Sequence, residues 1–228
     1  MFGFKGKSPR RGGSTICKCK TGKNTVNLRE TYNKIAGDWF RQHQPDSWWH
    51  EGTDKFISSL KAGASVLDVG CGAGLASKYL VEKGLSLVGI DFSEKLIEIA
   101  KREVPLGKFL VMDMNNLGSL EEHFDGLYVK ASILHLAKKE VPDFMLKLKE
   151  RFKPNGFIYI AVKGANKGQQ EEQVKIEHDY GHTYERFFSF FFLPEMEKYF
   201  TDAGFKVIWK KVALTGQTNW IEIIGQRV

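Results

Sequence analysis

The chain has 228 residues, of which 42% are hydrophobic and 13% aromatic, a composition that suits one α/β domain with a full core and argues against two independent domains. No apolar run of about 18 residues is present, so no helix is expected to span a membrane. Seven of the 34 Lys and Arg residues but none of the 27 Asp and Glu residues lie in residues 1–25, so the whole net charge of +7 comes from this segment and the remainder is neutral. A neutral body does not indicate a nucleic-acid-binding protein.

Residues 1–25 are rich in Gly, Ser and Lys and are predicted to be a disordered basic tail. Three roles stay open for it: a solvated extension, an arm that binds RNA or another polyanion, and a transit peptide, although its glycines oppose the amphipathic helix of a transit peptide. The sequence lacks an apolar secretory segment at its start. Cys17, Cys19 and Cys71 form neither a disulfide framework nor part of a zinc-ligand set, so a reducing cytoplasm and no metal are expected.

From residue 26 onward, apolar spacing alternates between the periods of helices and of strands. Two helices are predicted first, over 27–42 and 48–61, and they form an N-terminal helical cover over 26–62. Strands and helices then alternate, with strands at 65–70, 86–91, 108–113, 124–130 and 157–163, helices at 75–83, 94–103 (capped by Ser93) and 138–152, and a helical turn near 118–123. This alternation predicts a doubly wound, mostly parallel sheet with helices on both faces.

The C-terminal part follows a different pattern. Residues 164–183 are polar and are predicted to be irregular, and the aromatic stretch 184–192 follows them. Pro194 is predicted to open a helix that ends near Gly204. The last elements are two strands at 205–212 and 220–225, predicted to form an antiparallel pair around a turn at 215–217.

The most informative stretch is Val66-Leu67-Asp68-Val69-Gly70-Cys71-Gly72-Ala73-Gly74, which ends the first strand of the sheet. Three glycines at alternating positions let the backbone turn tightly and approach a ligand that a Cβ would block. The helix that starts at Leu75 offers its free N–H groups to that ligand. The carboxylate of Asp68 repels a pyrophosphate and attracts a cationic amine, and the third glycine of a dinucleotide-binding G-x-G-x-x-G turn would lie one residue later. The turn therefore favours a nucleoside that carries an amino acid and disfavours a nicotinamide dinucleotide.

Two further acids end the next two strands. Asp91 lies 21 residues after Gly70, where a carboxylate can accept hydrogen bonds from ribose hydroxyls, and Asp113 ends the third strand. Each acid taken alone could be a helix cap or a turn residue. Three acids at successive strand ends, on the edge of the sheet where ligands bind, favour a ligand site.

These motifs resemble the D/E-x-G-x-G-x-G turn and strand-end acids of class I S-adenosylmethionine (SAM) methyltransferases. The resemblance covers about residues 30–228 and implies a seven-stranded Rossmann-like sheet with an antiparallel last strand, in a single domain over 26–228. It implies SAM as cofactor and S-adenosylhomocysteine (SAH) as product. It also implies that an N-terminal helix covers the cofactor, which Tyr32 and Trp39 would contact unless they fill the core. The other implied cofactor-binding residues are Asp68, Gly70, Cys71, Gly72, Gly74, Asp91, Phe92, Asp113, Met114 and Ala131.

The acceptor side is less specific. His135 follows the fourth strand, where the family presents residues to the methyl group, so it is either a general base or a support for the loop. The resemblance implies an acceptor pocket with His182, Tyr184 and Arg186, within an insertion or lid over 164–200. Arg186 would bind an anionic acceptor or pair with a neighbouring Glu.

The sequence therefore predicts a SAM-dependent methyltransferase that acts on a small-molecule acceptor. The chain lacks the Asn/Asp-Pro-Pro-aromatic motif of adenine and glutamine methylases and the Pro-Cys motif of cytosine-C5 methylases. Two alternatives stay open: an RNA methyltransferase that uses the basic tail, and a SAM-binding regulatory protein without turnover. No membrane partner is expected, and nucleic acid is expected only as a weak partner of the tail.

Overall fold

In a computed structural model of the protein, the described residues are 19–21, 24–44 and 46–228, so most of the predicted tail lies outside them. The part that is described forms two short antiparallel strands, Cys19–Thr21 (β1) and Asn24–Val26 (β2). Ordered backbone thus begins before residue 26, the predicted start of the domain. Amino-acid composition could not predict the β1–β2 pair, because the two strands are joined by main-chain hydrogen bonds.

A seven-stranded sheet forms the centre of the molecule, in the order β10-β11-β7-β6-β3-β4-β5. Its strands are Ser65–Val69 (β3), Ser86–Asp91 (β4), Lys108–Val111 (β5), Phe124–Lys130 (β6), Phe152–Lys163 (β7), Phe205–Thr215 (β10) and Thr218–Arg227 (β11). Strands β3 to β7 pair in parallel, whereas β11 is antiparallel to both β7 and β10. The predicted doubly wound sheet with an antiparallel last strand is confirmed.

The described residues include six α-helices: Leu28–His43 (α1), His50–Ser58 (α2), Leu75–Glu82 (α3), Glu94–Glu103 (α4), Val141–Lys149 (α5) and Leu193–Asp202 (α6). Helices α2 to α6 pack on the two faces of the sheet, whereas α1 packs on α4. Ser93 caps α4 as predicted, because its Oγ accepts the Leu96 N–H at 3.2 Å. The predicted helix over 138–152 is shorter: a 3₁₀ turn at Lys138–Glu140 precedes α5. The helical turn predicted near 118–123 lies earlier, at Met114–Ser119, because Asp113 caps it by accepting the Asn115 N–H.

The prediction that residues 164–183 are irregular is wrong from residue 172 onward. Glu172–Asp179 (β8) and His182–Ser189 (β9) form an antiparallel hairpin that is separate from the main sheet. Alternation is present in β8, where Val174 and Ile176 are flanked by polar residues, but both side chains are exposed. Strand β8 therefore lacks the apolar face that makes a half-buried strand recognisable in a sequence.

Two apolar layers bury the sheet. One lies between the sheet and the side that carries α5 and α6, and the other lies under α2, α3 and α4. Within the second layer a polar network is buried, in which Thr53 Oγ1 bonds the Tyr128 hydroxyl at 2.7 Å and Tyr159 donates to Glu222 at 2.6 Å. These layers fix the carboxyl ends of β3, β4 and β6 at one edge. In the part of the chain that the structure describes, no helix is long and apolar enough to cross a membrane.

Candidate active site

The glycine turn after β3 is held in place by main-chain hydrogen bonds. The N–H groups of Gly70 and Cys71 both donate to the carbonyl of Ile90, at 2.8 and 3.0 Å. Gly70 has φ +75°, and a Cβ built on it would overlap the Cβ of Ser132 in the loop after β6. The close approach of these two loops therefore requires glycine at position 70.

Asp68 lies just before this turn and is buried. Its Oδ2 accepts a hydrogen bond of 2.6 Å from Ser77 Oγ in α3. Burial raises the pKa of Asp68 to about 6, against the opposing effects of the Ser77 hydrogen bond and the charge of Lys130. A carboxylate with so few partners in a buried position favours a cation or a hydrogen-bond donor beside it.

Asp91 ends β4 and joins two loops. Its carboxylate accepts the N–H of Gly72 at 3.0 Å and the N–H of Ser93 at 2.8 Å. Burial raises its pKa to about 6 although these two hydrogen bonds lower it. Because a carboxylate has about four lone-pair positions, Asp91 can still accept from a ligand. It thus fixes the glycine turn and remains available to the cleft.

A cleft opens over the carboxyl ends of β3, β4 and β6. Its volume is about 90 Å³, so the cleft is narrow. Its lining includes most of the predicted site residues: Tyr32, Trp39, Asp68, Gly70, Cys71, Gly72, Asp91, Phe92, Met114, Ala131 and His135. Sequence analysis did not identify the remaining lining residues, Leu75, Ala76, Ile90, Leu96, Met112, Lys130 and Ser132. Most of these are apolar residues within the regular elements, where nothing in the sequence separates them from core.

Two predicted cofactor residues lie outside this lining. Gly74 has φ +81° and begins α3, and a Cβ there would approach Ala100 Cβ to 3.1 Å, so Gly74 allows α3 to pack on α4. Asp113 lines an adjacent cleft that also contains Arg29. The two clefts share Phe92 and Met112. A role for Asp113 thus requires a ligand that extends past these two side chains.

The loop after β6 presents three unusual groups to the cleft. Ala131 has φ +54°, a strained conformation for a residue with a Cβ, and such strain is concentrated at functional sites. Among the described residues, the buried Ser132 Oγ has no hydrogen-bond partner. Lys130 lies over the rings of Trp48 and Trp49, at 5.6 and 5.1 Å from their centroids, and burial lowers its pKa. An unpaired buried hydroxyl at a cleft indicates a place for a ligand.

His135 is bonded through both ring nitrogens. Nδ1 donates to the Phe187 carbonyl at 2.7 Å, which leaves Nε2 as the acceptor for the Tyr32 hydroxyl at 2.8 Å. The Tyr32 oxygen in turn accepts a hydrogen bond of 3.2 Å from Arg186 Nη1. Burial, with the nearby charges of Arg186 and Lys163, lowers the pKa of His135 to about 3 although the Phe187 carbonyl raises it. The imidazole is therefore neutral at neutral pH and its basic nitrogen is engaged.

The three predicted acceptor residues share one face of the hairpin, because they alternate along β9. Arg186 contacts the cleft only through its hydrogen bond to Tyr32. Glu177 binds the Arg186 guanidinium through both carboxylate oxygens, so Arg186 does pair with a neighbouring Glu. Tyr184 stacks on Tyr180 and donates to Asp179. His182 lies at the end of the hairpin, where it pairs with Asp179 in the register. Neither Tyr184 nor His182 lines the cleft.

Comparisons with known proteins agree with this geometry. A family described as "Methyltransferase domain" matches residues 66–156. The chain is 32% identical over 149 residues to phosphoethanolamine N-methyltransferase 1 of Zea mays, which covers 62% of this chain and 28% of that protein. It is 30% identical over 161 residues to the mitochondrial ubiquinone biosynthesis O-methyltransferase of Schizosaccharomyces pombe, which covers 60% of this chain and 55% of that one. The chain thus spans about half or less of the length of these relatives.

The solved structure of the Burkholderia thailandensis 1,6-didemethyltoxoflavin-N1-methyltransferase, which contains SAH, has the same fold. Its TM-score is 0.70 at 16% identity, and the match covers 88% of this chain and 87% of that one. Fold, glycine turn and matched family all indicate a class I SAM-dependent methyltransferase. The residues of the cleft fit the family's cofactor: two buried carboxylates can bind its amine and ribose hydroxyls, and Ser132 Oγ offers an unused hydrogen-bonding group.

Proposed function

We propose that the protein is an active methyltransferase that transfers the methyl group of SAM to a small-molecule acceptor. The observation that carries this proposal is the pair of buried carboxylates, Asp68 and Asp91, beside the glycine turn of one cleft. Burial without a cationic partner in direct contact is unfavourable for a carboxylate. A cationic amino-acid nucleoside would compensate for it.

SAM, when bound, supplies a methyl group that its sulfonium already activates for attack. The chain's own residues then have to bind the cofactor and the acceptor, orient them towards each other and exclude water. Asp68 would hold the amine and Asp91 the ribose hydroxyls. Tyr32 and Trp39 of α1 close one side of the cleft, where their rings can exclude water and attract a cation.

His135 is proposed to orient the Tyr32 hydroxyl. A general base needs an accessible nitrogen and a pKa near the working pH. The Nε2 atom of His135 accepts from Tyr32, and its pKa of about 3 makes it a weak base. The Tyr32 hydroxyl is thereby fixed at the cleft between His135 and Arg186, where it can direct an acceptor.

Calorimetry with SAM and SAH tests the cofactor site. Asp91→Ala should weaken binding by about 1.5–3 kcal/mol, the scale of lost hydrogen bonds to a charged group. Asp68→Asn removes the charge but keeps the shape, and it should weaken SAM binding as well. Asp143→Asn, at an exposed position of α5, is the matched control and should bind like the wild type. Unchanged affinity in Asp91→Ala and Asp68→Asn would refute the assigned site.

Turnover is measured separately from binding. Metabolite extracts are incubated with the protein and SAM, and mass spectrometry detects SAH and the methylated product. A product that forms with the wild type and not with Asp68→Asn supports an enzyme with a small-molecule acceptor. SAH binding without any product from small-molecule or RNA fractions would instead support a regulatory SAM-binding protein.

A further inference from the structure

Three cationic side chains surround one buried phenyl ring on the hairpin side of the cleft. The Nζ atoms of Lys163 and Lys175 lie 4.0 and 6.0 Å from the centroid of Phe188, and the guanidinium carbon of Arg186 lies 5.1 Å from it. We call Lys163, Lys175 and Arg186 the cationic cluster. Lys163 belongs to the end of β7, while Lys175 and Arg186 are cross-strand partners in the hairpin. Three elements of the chain thus bring like charges to one ring.

The charges of the cluster are only partly balanced. Glu177 pairs with Arg186, whereas the ammonium group of neither lysine forms a hydrogen bond or an ion pair with any residue that the structure describes. Burial, together with the charges of Arg186 and Lys175, lowers the pKa of Lys163 to about 8, against the weaker opposing effect of Glu177. Like charges held together in a partly buried position destabilise the protein unless an anion compensates them.

The cluster adjoins the cleft. The His135 ring, which lines the cleft, lies 5.1 Å from Phe188, and Arg186 donates to Tyr32, which also lines it. An acceptor that places one end on the cluster would therefore lie one side-chain layer from the cleft.

We propose that Lys163 and Lys175, supported by Arg186, bind an anionic group of the methyl acceptor, so that the substrate class is a small molecule with a carboxylate or phosphate. This inference rests on the proposed function, because it assigns the acceptor end of the same site. The two lysines supply charge without a competing partner. Arg186, already bound by Glu177, holds the hairpin against Tyr32.

Anion binding can be measured without knowing the acceptor. Inorganic phosphate and acetate are titrated separately into the SAH-loaded protein at low ionic strength, and the signals of ¹³C-labelled lysine side chains are followed by NMR. Either anion should shift the Lys163 signal and raise its pKa. Tighter binding of phosphate would indicate a phosphate ester as the acceptor, and tighter binding of acetate would indicate a carboxylate.

Substitutions locate the site. Lys163→Met/Lys175→Met should weaken anion binding at least tenfold, and the exposed Lys167→Met, in the segment between β7 and β8, is the control that should leave it unchanged. Lys175→Met alone, on the half-exposed hairpin, should weaken binding even if the double variant does not fold. SAH affinity should stay within twofold of the wild type in every folded variant, because no lysine of the cluster lines the cleft.

The outcomes separate this inference from the proposed function. SAH binding without anion binding, or anion binding that the lysine substitutions do not weaken, would overturn the anionic acceptor and leave the methyltransferase proposal intact. Failure of the wild type to bind SAH would refute the methyltransferase proposal, and the assignment of the cluster to an acceptor would fail with it.

Discussion

The two sides of the cleft differ in charge and in how the chain builds them. On the cofactor side, Asp68 and Asp91 are buried carboxylates that a single run of residues, from β3 to the start of α4, brings together through main-chain hydrogen bonds. On the hairpin side, Lys163, Lys175 and Arg186 come from β7, β8 and β9 and meet at Phe188. A cationic cofactor and an anionic acceptor would each meet opposite charge. In a body whose net charge is zero, local charge would thus orient the two proposed ligands.

The backbone of the cofactor side should be the least tolerant of change. Gly70→Ala adds a Cβ that overlaps Ser132, at a residue with φ +75°. Gly84→Ala is the matched control, because Gly84 has φ +85° and open space where its Cβ would lie. The control should lose about 1–2 kcal/mol from its left-handed backbone alone. Gly70→Ala should lose about 1–3 kcal/mol more from overpacking.

Urea unfolding of the two glycine variants measures this difference, and calorimetry should show that only Gly70→Ala loses most of its SAH affinity. Equal free energies of unfolding would mean that the Ser132 loop moves away at little cost. The close contact of the two loops would then not be a requirement of the site.

Cofactor affinity should depend on pH through the two carboxylates. Their pKa values are raised to about 6, and the ionised form is needed by Asp68 to bind the amine and by Asp91 to accept from both ribose hydroxyls. SAM affinity should therefore fall as the pH falls through 6, by about tenfold at pH 5 for each group that must be ionised, with proton release on binding near pH 6. Calorimetry in buffers of different ionisation enthalpy measures both effects. A Kd that is constant from pH 5 to 8 would contradict the role of these carboxylates.

The raised pKa values of Asp68 and Asp91 make folding stability rise as the pH falls, whereas SAM affinity falls. A carboxyl whose folded pKa exceeds its unfolded value near 3.9 stabilises the protein fully below that value and loses this contribution as the pH rises through about 6. The cofactor-free protein should therefore gain stability from Asp68 and Asp91 as the pH is lowered from 8 to 5. Asp68→Asn should flatten part of that profile in thermal unfolding.

Sequence reasoning succeeded where the site is local. The strand, the glycine turn and the acid of β4 follow one another in the chain, so motif and spacing predicted their meeting, and the Ser93 cap of α4 was equally local. It missed β8, where only Val174 and Ile176 alternate with polar residues, and it did not predict the contact of Gly74 with Ala100, because that contact joins two helices. It could not predict the cationic cluster, since Lys163 and Lys175 are ordinary lysines until the hairpin folds back onto β7. Long-range packing supplies what the pattern lacks.

The protonation state and the substitution of His135, which lies between the cofactor side and the hairpin side of the cleft, test whether this residue is a general base. Its pKa is lowered to about 3, so its contribution to stability is full above the unfolded value near 6.5 and is lost as the pH falls through about 3. NMR of ¹⁵N-labelled histidine should show a neutral ring with the proton on Nδ1 from pH 5 to 8. His135→Gln should lower turnover less than tenfold, compared with about 10²–10⁴-fold for the loss of a general base. A titration near pH 6.5 with a large loss of turnover would restore the general-base role.

The smallest effect is expected from the basic segment, and it decides whether the cationic cluster serves a small anion or a polyanion. A truncation that starts at Val26 removes β1 and most of β2 but leaves Val26 and α1 intact, so it should keep its melting temperature within a few degrees and its SAH affinity unchanged. RNA binding by the full chain should be weak and should fall steeply with salt, by roughly one power of the salt concentration per phosphate contact. Filter binding at low and physiological salt compares the two proteins. If the truncated protein retains RNA at physiological salt and Lys163→Met/Lys175→Met releases it, the cluster binds a nucleic acid, and the charge on the hairpin side selects a larger substrate than a small molecule.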